Sequence, residues 1–135
     1  MPASRDFLDV VWRLHPEALE FIEGIGEPVT FQKDAQIFAE GEDGTAMYLI
    51  LEGAVRVMRK KKVLAILGPQ RSFGEVAMLT QSKRSAHVFA DSQVRLLKIT
   101  QANLANLSKN DPRVALQIFR ILAESLAQGI KALVN

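Results

Sequence analysis

Between Phe73 and Ala90 the sequence reads FGEVAMLTQSKRSAHVFA, a stretch whose residue types and spacing suit the recognition of a small anion. Holding a phosphate inside a protein takes several convergent hydrogen-bond donors and a positive charge. Backbone N–H groups at a helix start or in a nest supply the donors. Arginine supplies the charge, because its planar fork engages two oxygens at once. A ribose needs an acceptor for its hydroxyl hydrogen, and a carboxylate serves. Gly74 lets backbone approach a ligand closely. Glu75 follows it directly, and Arg84 comes nine residues after Glu75. Val76, Ala77, Met78 and Leu79 are a short apolar run able to make one helical turn with free first N–H groups. Ser85 and Ala86 are small and leave the backbone beside Arg84 accessible. The competing reading of Glu75 and Arg84 is a structural salt bridge.

The elements that must position these residues are legible on both sides. Ser4 can cap a first helix carrying Phe7, Leu8, Val10, Val11 and Leu14. Pro16 can open a second, over 17–23, that Gly24 and Gly26 end. From Pro28 to Ile99 short apolar runs alternate with turn residues: 29–31, 36–38, 47–51, 55–58, 63–67, 86–89 and 94–99. Many short strands at close spacing argue for a sandwich or barrel, and an antiparallel jelly roll manages its edges in this way. Thr100 can cap a helix to Lys109. Asp111–Pro112 is a strong start signal for a last helix to near Val134. The expected fold is therefore mainly β with flanking α in one domain. Helices occupy 1–26, an antiparallel jelly-roll barrel 28–99, and helices 100–134.

In the last helix Arg113, Gln117, Arg120, Glu124, Gln128 and Lys131 form one polar stripe, and nearly everything else is apolar. That face is wider than packing on one surface requires. Either the helix is deeply buried or part of the face meets a partner, a second copy of the chain being the simplest.

Composition narrows the function classes. The 135 residues are 48% apolar, enough for a core, and include no cysteine. Disulfides, thiolate metal sites and cysteine nucleophiles are thereby excluded. His15 and His87 have no metal-spaced partner, and Thr80, Ser82 and Ser85 have no constellation that would activate a nucleophile. No metal, cofactor or catalysis is expected. No apolar run approaches the roughly 20 residues that span a bilayer, and MPASRDFLDVVWRLH is not a secretory signal. A soluble, cytoplasmic protein is expected. Net charge is +2, but residues 1–53 hold 11 acids and 3 bases while residues 54–135 hold 4 acids and 14 bases. A basic second half can attract an anion, or the halves can interleave and cancel. The run Arg59 to Lys62 reads as a solvated hairpin tip or as a nucleic-acid contact.

FGEVAML followed by KRSAHV resembles the phosphate-binding cassette of the cyclic-nucleotide-binding family, which includes bacterial cAMP receptor proteins, regulatory subunits of cAMP-dependent kinase and cyclic-nucleotide-gated channels. GEDGTAMYLILEGAVRV, from Gly41 to Val57, and LGPQRSFGE extend the resemblance, and the flanking helices fit it. It implies that Glu75 accepts the ribose 2′-hydroxyl and that Arg84 pairs with the cyclic phosphate. Backbone N–H groups of Val76, Ala77 and Ala86 would complete the cradle, Ser85 would add a hydroxyl, and Gly74 would permit the approach. The base would lie against apolar barrel residues, with the last helix as a further surface. Arg-Ser-Ala is similar to bacterial cAMP receptors, so cAMP is the first ligand expected, with cGMP open. The sequence departs from the family at Gln70, where glycine is usual, at Lys83, where proline is common, and at the hairpin tip, which lacks glycine. Family transcription factors carry a helix-turn-helix after the last helix. This sequence stops at Asn135, so direct DNA binding is not expected, and output would pass to a partner protein or a dimer. The mechanism implied is a ligand-driven shift of the C-terminal helices. Arg84→Ala should weaken binding and leave the fold intact. The alternative is a degenerate, ligand-free barrel serving as an interaction module.

Overall fold

The computed structural model describes residues 16–133, with side chains over 20–123. The helix expected after Ser4, His15 and the outer half of the last helix's polar stripe lie outside those bounds.

Helix α1 (Pro16–Ile25) leads into strands β1 (Glu27–Phe31), β2 (Gln36–Phe38), β3 (Ala46–Glu52), β4 (Val55–Arg59), β5 (Lys62–Leu67) and β6 (Ser72–Phe73). The short helix α2 (Glu75–Thr80) separates these from β7 (His87–Ala90) and β8 (Val94–Thr100). Helices α3 (Gln101–Asn110) and α4 (Pro112–Leu133) follow. The strands make two four-stranded antiparallel sheets, ordered β1-β8-β3-β6 and β2-β7-β4-β5. Each of the seven expected runs contributes a strand. The eighth, β6, is two residues long and too short to carry a sequence period.

Alternation along β3 and β8 partitions the interior. Met47, Leu49, Leu97 and Ile99 face the helices, packing with Ile22, Leu104, Ile118 and Ile121. Tyr48, Ile50, Leu96 and Val94 face the other sheet, packing with Val55, Val57, Val88 and Phe73. A strand buried on both faces reads as a continuous apolar run, as AMYLIL does.

Helix ends follow local chemistry. The Thr100 side chain accepts from Asn103 N–H at 3.1 Å, and Asn103 Oδ1 accepts from Thr100 N–H at 2.9 Å, a reciprocal capping box. Asp111 Oδ1 accepts from Val114 N–H at 3.4 Å, with Pro112 in the first turn of α4. Helix α1 corrects one expectation. It runs through Gly24 and ends at Ile25, where Gly26 N–H still donates to Ile22 O at 3.0 Å.

The uneven charge is resolved by interleaving. Asp34, Asp43 and Glu52 of the acidic half pair with Arg56, Lys83 and Arg95 of the basic half.

Two of the family departures fall on left-handed backbone. Gln70 sits at φ +70, and the β4–β5 turn places Lys60 and Lys61 at φ +53 and +64. A two-residue hairpin with both central residues left-handed favours Asn-Gly. The double substitution Lys60→Asn, Lys61→Gly is therefore expected to stabilise the fold by about 1 kcal/mol, read as a higher denaturant midpoint at unchanged slope.

Candidate functional site

Strand β6 ends at Phe73, and Gly74 turns the chain into α2. Its backbone is left-handed, at φ +84, and it caps the helix without a side-chain hydrogen bond. A serine or aspartate cap would occupy a first-turn N–H; glycine leaves these donors without a side-chain acceptor. A Cβ on Gly74 would lie 2.8 Å from Arg84 Nη1 and 3.3 Å from Ala46 O. Glycine is thus required by both the conformation and the approach of the guanidinium. Gly44 serves the other side of α2, since a Cβ there would lie 2.2 Å from Ala77 Cβ.

Arg84 is 5% exposed. Its Nη1 donates to Gly74 O at 2.7 Å and its Nη2 to Ala46 O at 2.6 Å. The guanidinium carbon stands 4.0 Å from the centre of the Phe38 ring. Phe38 packs with Tyr48 and Phe73, ring centres 6.2 and 5.9 Å away. No carboxylate pairs with Arg84 among the described residues, and its Nε has no hydrogen-bond partner. The salt-bridge reading of Glu75 and Arg84 is not what the structure has. Glu75 is also buried, and its Oε2 lacks a partner. Burial raises the Glu75 carboxyl above the usual range, outweighing its own backbone N–H and the Arg84 charge. Burial likewise pulls the Arg84 guanidinium down, against the charges of Tyr48, Glu42 and Glu75.

These contacts correct the expectation that Arg84 is dispensable to the fold, because its side chain satisfies two backbone carbonyls inside the domain. The backbone around it is also fixed. Arg84 N–H donates to Glu42 O at 2.7 Å, Gly41 N–H to Arg84 O at 2.9 Å and Gly44 N–H to Ser82 O at 3.2 Å. Lys83, the residue found where proline is common, pairs with Asp43 and extends this clip.

A concave pocket opens over this region. Of the residues expected from the sequence, Gly74, Val76, Ala77, Arg84, Ser85 and Ala86 line it, whereas Glu75 does not. Its remaining wall is mostly apolar, with Phe38, Val57, Phe73 and Val88 from the inter-sheet core and Leu64 from the rim. Sequence reasoning missed Arg59, which also lines it. The missed signal was the two-residue period of β4: Val55 and Val57 point inward, and one further step reaches Arg59.

An apolar pocket holding a buried, unpaired cation beside an uncapped helical turn has the chemistry of an anion cradle carried on a two-sheet β domain. The family profile described as cyclic nucleotide-binding domain matches residues 28–111, and the chain belongs to that family. It is 28% identical over 118 residues to a CRP-like cAMP-activated global transcriptional regulator of Mycobacterium tuberculosis, covering 84% of this chain and 53% of that protein. It is 30% identical over 121 residues to the cyclic AMP receptor protein of Thermus thermophilus, covering 86% and 56%. The chain spans about half the length of these curated relatives. Among solved structures, the N-terminal domain of a transcriptional regulator from Streptomyces coelicolor superposes with a TM-score of 0.73 at 26% identity, covering 87% of each chain. No helix among the described residues is long and apolar enough to cross a membrane.

Proposed function

We propose that this chain is a regulatory domain that senses a cyclic purine nucleotide, cAMP or cGMP, and that it performs no catalysis of its own. The observation that carries this reading is Arg84: a guanidinium 5% exposed, at a pocket wall, without a carboxylate partner. A buried cation held only by carbonyls and a ring face is costly unless an anion completes it. Two of its five N–H donors are engaged, which leaves donors for a cyclic phosphate. In this proposal backbone N–H groups of Val76, Ala77 and Ala86 and the Ser85 hydroxyl share the phosphate, the base covers Val57 and Leu64, and Glu75, buried off the pocket wall in the ligand-free structure, accepts the ribose hydroxyl through its unpartnered Oε2 once α2 shifts on binding. The names of the two curated relatives favour cAMP. The strand orders 1-8-3-6 and 2-7-4-5 support the jelly-roll reading of the fold, and a cytoplasmic setting goes with it.

Output is proposed to leave through α4. Its Ala115, Ile118, Ile121 and Leu122 are buried, whereas Leu116 and Phe119 are 61% and 37% exposed. A partner protein or second copy would cover these two residues, and sedimentation with and without ligand reads that directly.

Calorimetric titration with cAMP and cGMP tests the sensing reading. Saturating ligand at about 100 times Kd should add about 2.7 kcal/mol of stability, seen as a higher melting temperature. Absence of both heat and a thermal shift at millimolar nucleotide would leave the ligand-free interaction module standing instead.

A further inference from the structure

Arg59 is a pocket cation that the proposed phosphate contacts do not include, although it touches the cradle at Ser85. It ends β4, and its Nε donates to Ser85 O at 2.9 Å. That contact uses one donor, and neither terminal nitrogen of the guanidinium has an ion-pair partner among the described residues. Among the described residues no carboxylate pairs with it. Arg56, three positions earlier, shows the contrast: it pairs with Asp34 at 3.0 Å and Asp91 at 3.5 Å, and lies 5.2 Å from the Phe89 ring centre. Charge at Arg56 is neutralised on the outside of the sheet, while charge at Arg59 is held at the edge of an apolar cavity.

The neighbours of Arg59 in the pocket indicate which part of a ligand it meets. Val57 precedes it on the same face of β4, and Leu64 stands beside it on the rim. These are flat apolar surfaces suited to a purine ring. The polar cradle of Gly74, Ala77, Arg84, Ser85 and Ala86 belongs to α2 and the chain after it, and Arg59 reaches it only through its Nε, on Ser85 O. A ring lying on Val57 and Leu64 would present its edge to Arg59. Guanine offers two adjacent acceptors on that edge, O6 and N7, which match the arginine fork. Adenine offers N7 beside an N6 donor, which repels it.

We propose that Arg59 is a specificity-determining residue that reads the base edge, so that the pocket takes cGMP at least as tightly as cAMP. This rests on the sensing function proposed above. The test is titration of both nucleotides into the unaltered protein and into Arg59→Ala and Arg59→Lys. In the unaltered protein cGMP should bind no more weakly than cAMP. Arg59→Ala should cost cGMP about tenfold or more in affinity and leave cAMP within about threefold, and Arg59→Lys should recover only part of the cGMP loss, because a point charge lacks the fork. Equal losses for both nucleotides would overturn the proposal, assigning Arg59 to the phosphate or to support of Ser85. Unchanged cGMP affinity in Arg59→Ala, or a clear preference of the unaltered protein for cAMP, would overturn it as well while leaving the sensor intact. Failure of the unaltered protein to bind either nucleotide would remove the sensing function itself, and this proposal with it.

Discussion

Arg84→Ala is expected to lower cyclic-nucleotide affinity by about 100-fold or more and, as a separate effect, to lower the melting temperature. The first effect follows from removing the charged partner of a desolvated phosphate, which typically costs 2–5 kcal/mol or more. The second follows from the ligand-free structure. Gly74 O and Ala46 O would lose their guanidinium donors, and the Phe38 ring would lose its covering group. A buried carbonyl left unpaired costs about 1–3 kcal/mol, so an overall loss of about 2–4 kcal/mol is expected. Two controls keep the effects apart. Adenosine has no phosphate, so the advantage of cAMP over adenosine should collapse in the variant while the adenosine affinity itself changes little. Arg84→Lys retains a charge but cannot span both carbonyls, and should fall between the two proteins in affinity and in stability. Titrations run well below each variant's own melting temperature decide the matter; an unchanged cAMP affinity would exclude Arg84 as the phosphate partner.

Glu75→Gln is expected to separate stability from binding in the opposite sense. Glu75 is buried, its Oε2 is unpaired and burial raises its carboxyl pKa. The folded state therefore binds a proton more tightly than the unfolded chain does. For such an acid, stability is highest below the unfolded pKa and declines as pH rises towards the folded one. Above the unfolded pKa the fold therefore carries the cost of burying this carboxyl, either as a retained proton or as a desolvated charge. Replacing it with a neutral amide should stabilise the protein by about 1 kcal/mol, or about 3–4 °C in melting temperature, and should flatten the decline in stability above the ordinary carboxylate range. Affinity for cAMP should fall, since the amide is a weaker acceptor for the ribose hydroxyl, whereas affinity for 2′-deoxy-cAMP should be nearly unaffected. A variant that is no more stable, or that loses both nucleotides equally, would contradict this account of Glu75.

Much of this arrangement was legible in the sequence because its causes are local. Thr100 and Asp111–Pro112 mark helix starts through chemistry confined to one turn, and the alternating runs mark strands through the two-residue pleat. Six residues of the cassette line one pocket, and the sequence could single them out because Gly74, Arg84 and the small residues after it sit within one short stretch. What was not legible depends on partners distant in sequence. Strand β6 exists only because Tyr48 and Leu49 pair with Phe73 and Ser72. Arg84 turns out to be structural because Ala46, 38 positions away, supplies one of its acceptors. Glu75 was placed correctly at the start of α2, but its absence from the pocket wall reflects burial that no spacing reveals. Gln70, Lys60 and Lys61 were visible as departures from a pattern, and only backbone angles showed that each occupies a left-handed position.

The partition made by β3 and β8 has a consequence for how the domain comes apart. The helical layer and the inter-sheet layer are two separate apolar clusters, joined across strands that are buried on both faces. Helix α2 touches both: Met78 belongs to the helical cluster, while Val76 and Ala77 face the pocket. Its far end is tied to α3, where Gln101 Nε2 donates to Met78 O at 2.7 Å. Opening of the helices as a cooperative unit of their own would leave the inter-sheet cluster, with Phe38 beneath Arg84, in place. Such opening would loosen the pocket at one place, the six-residue α2, so that the seam between the two clusters and the proposed binding site meet in one short helix.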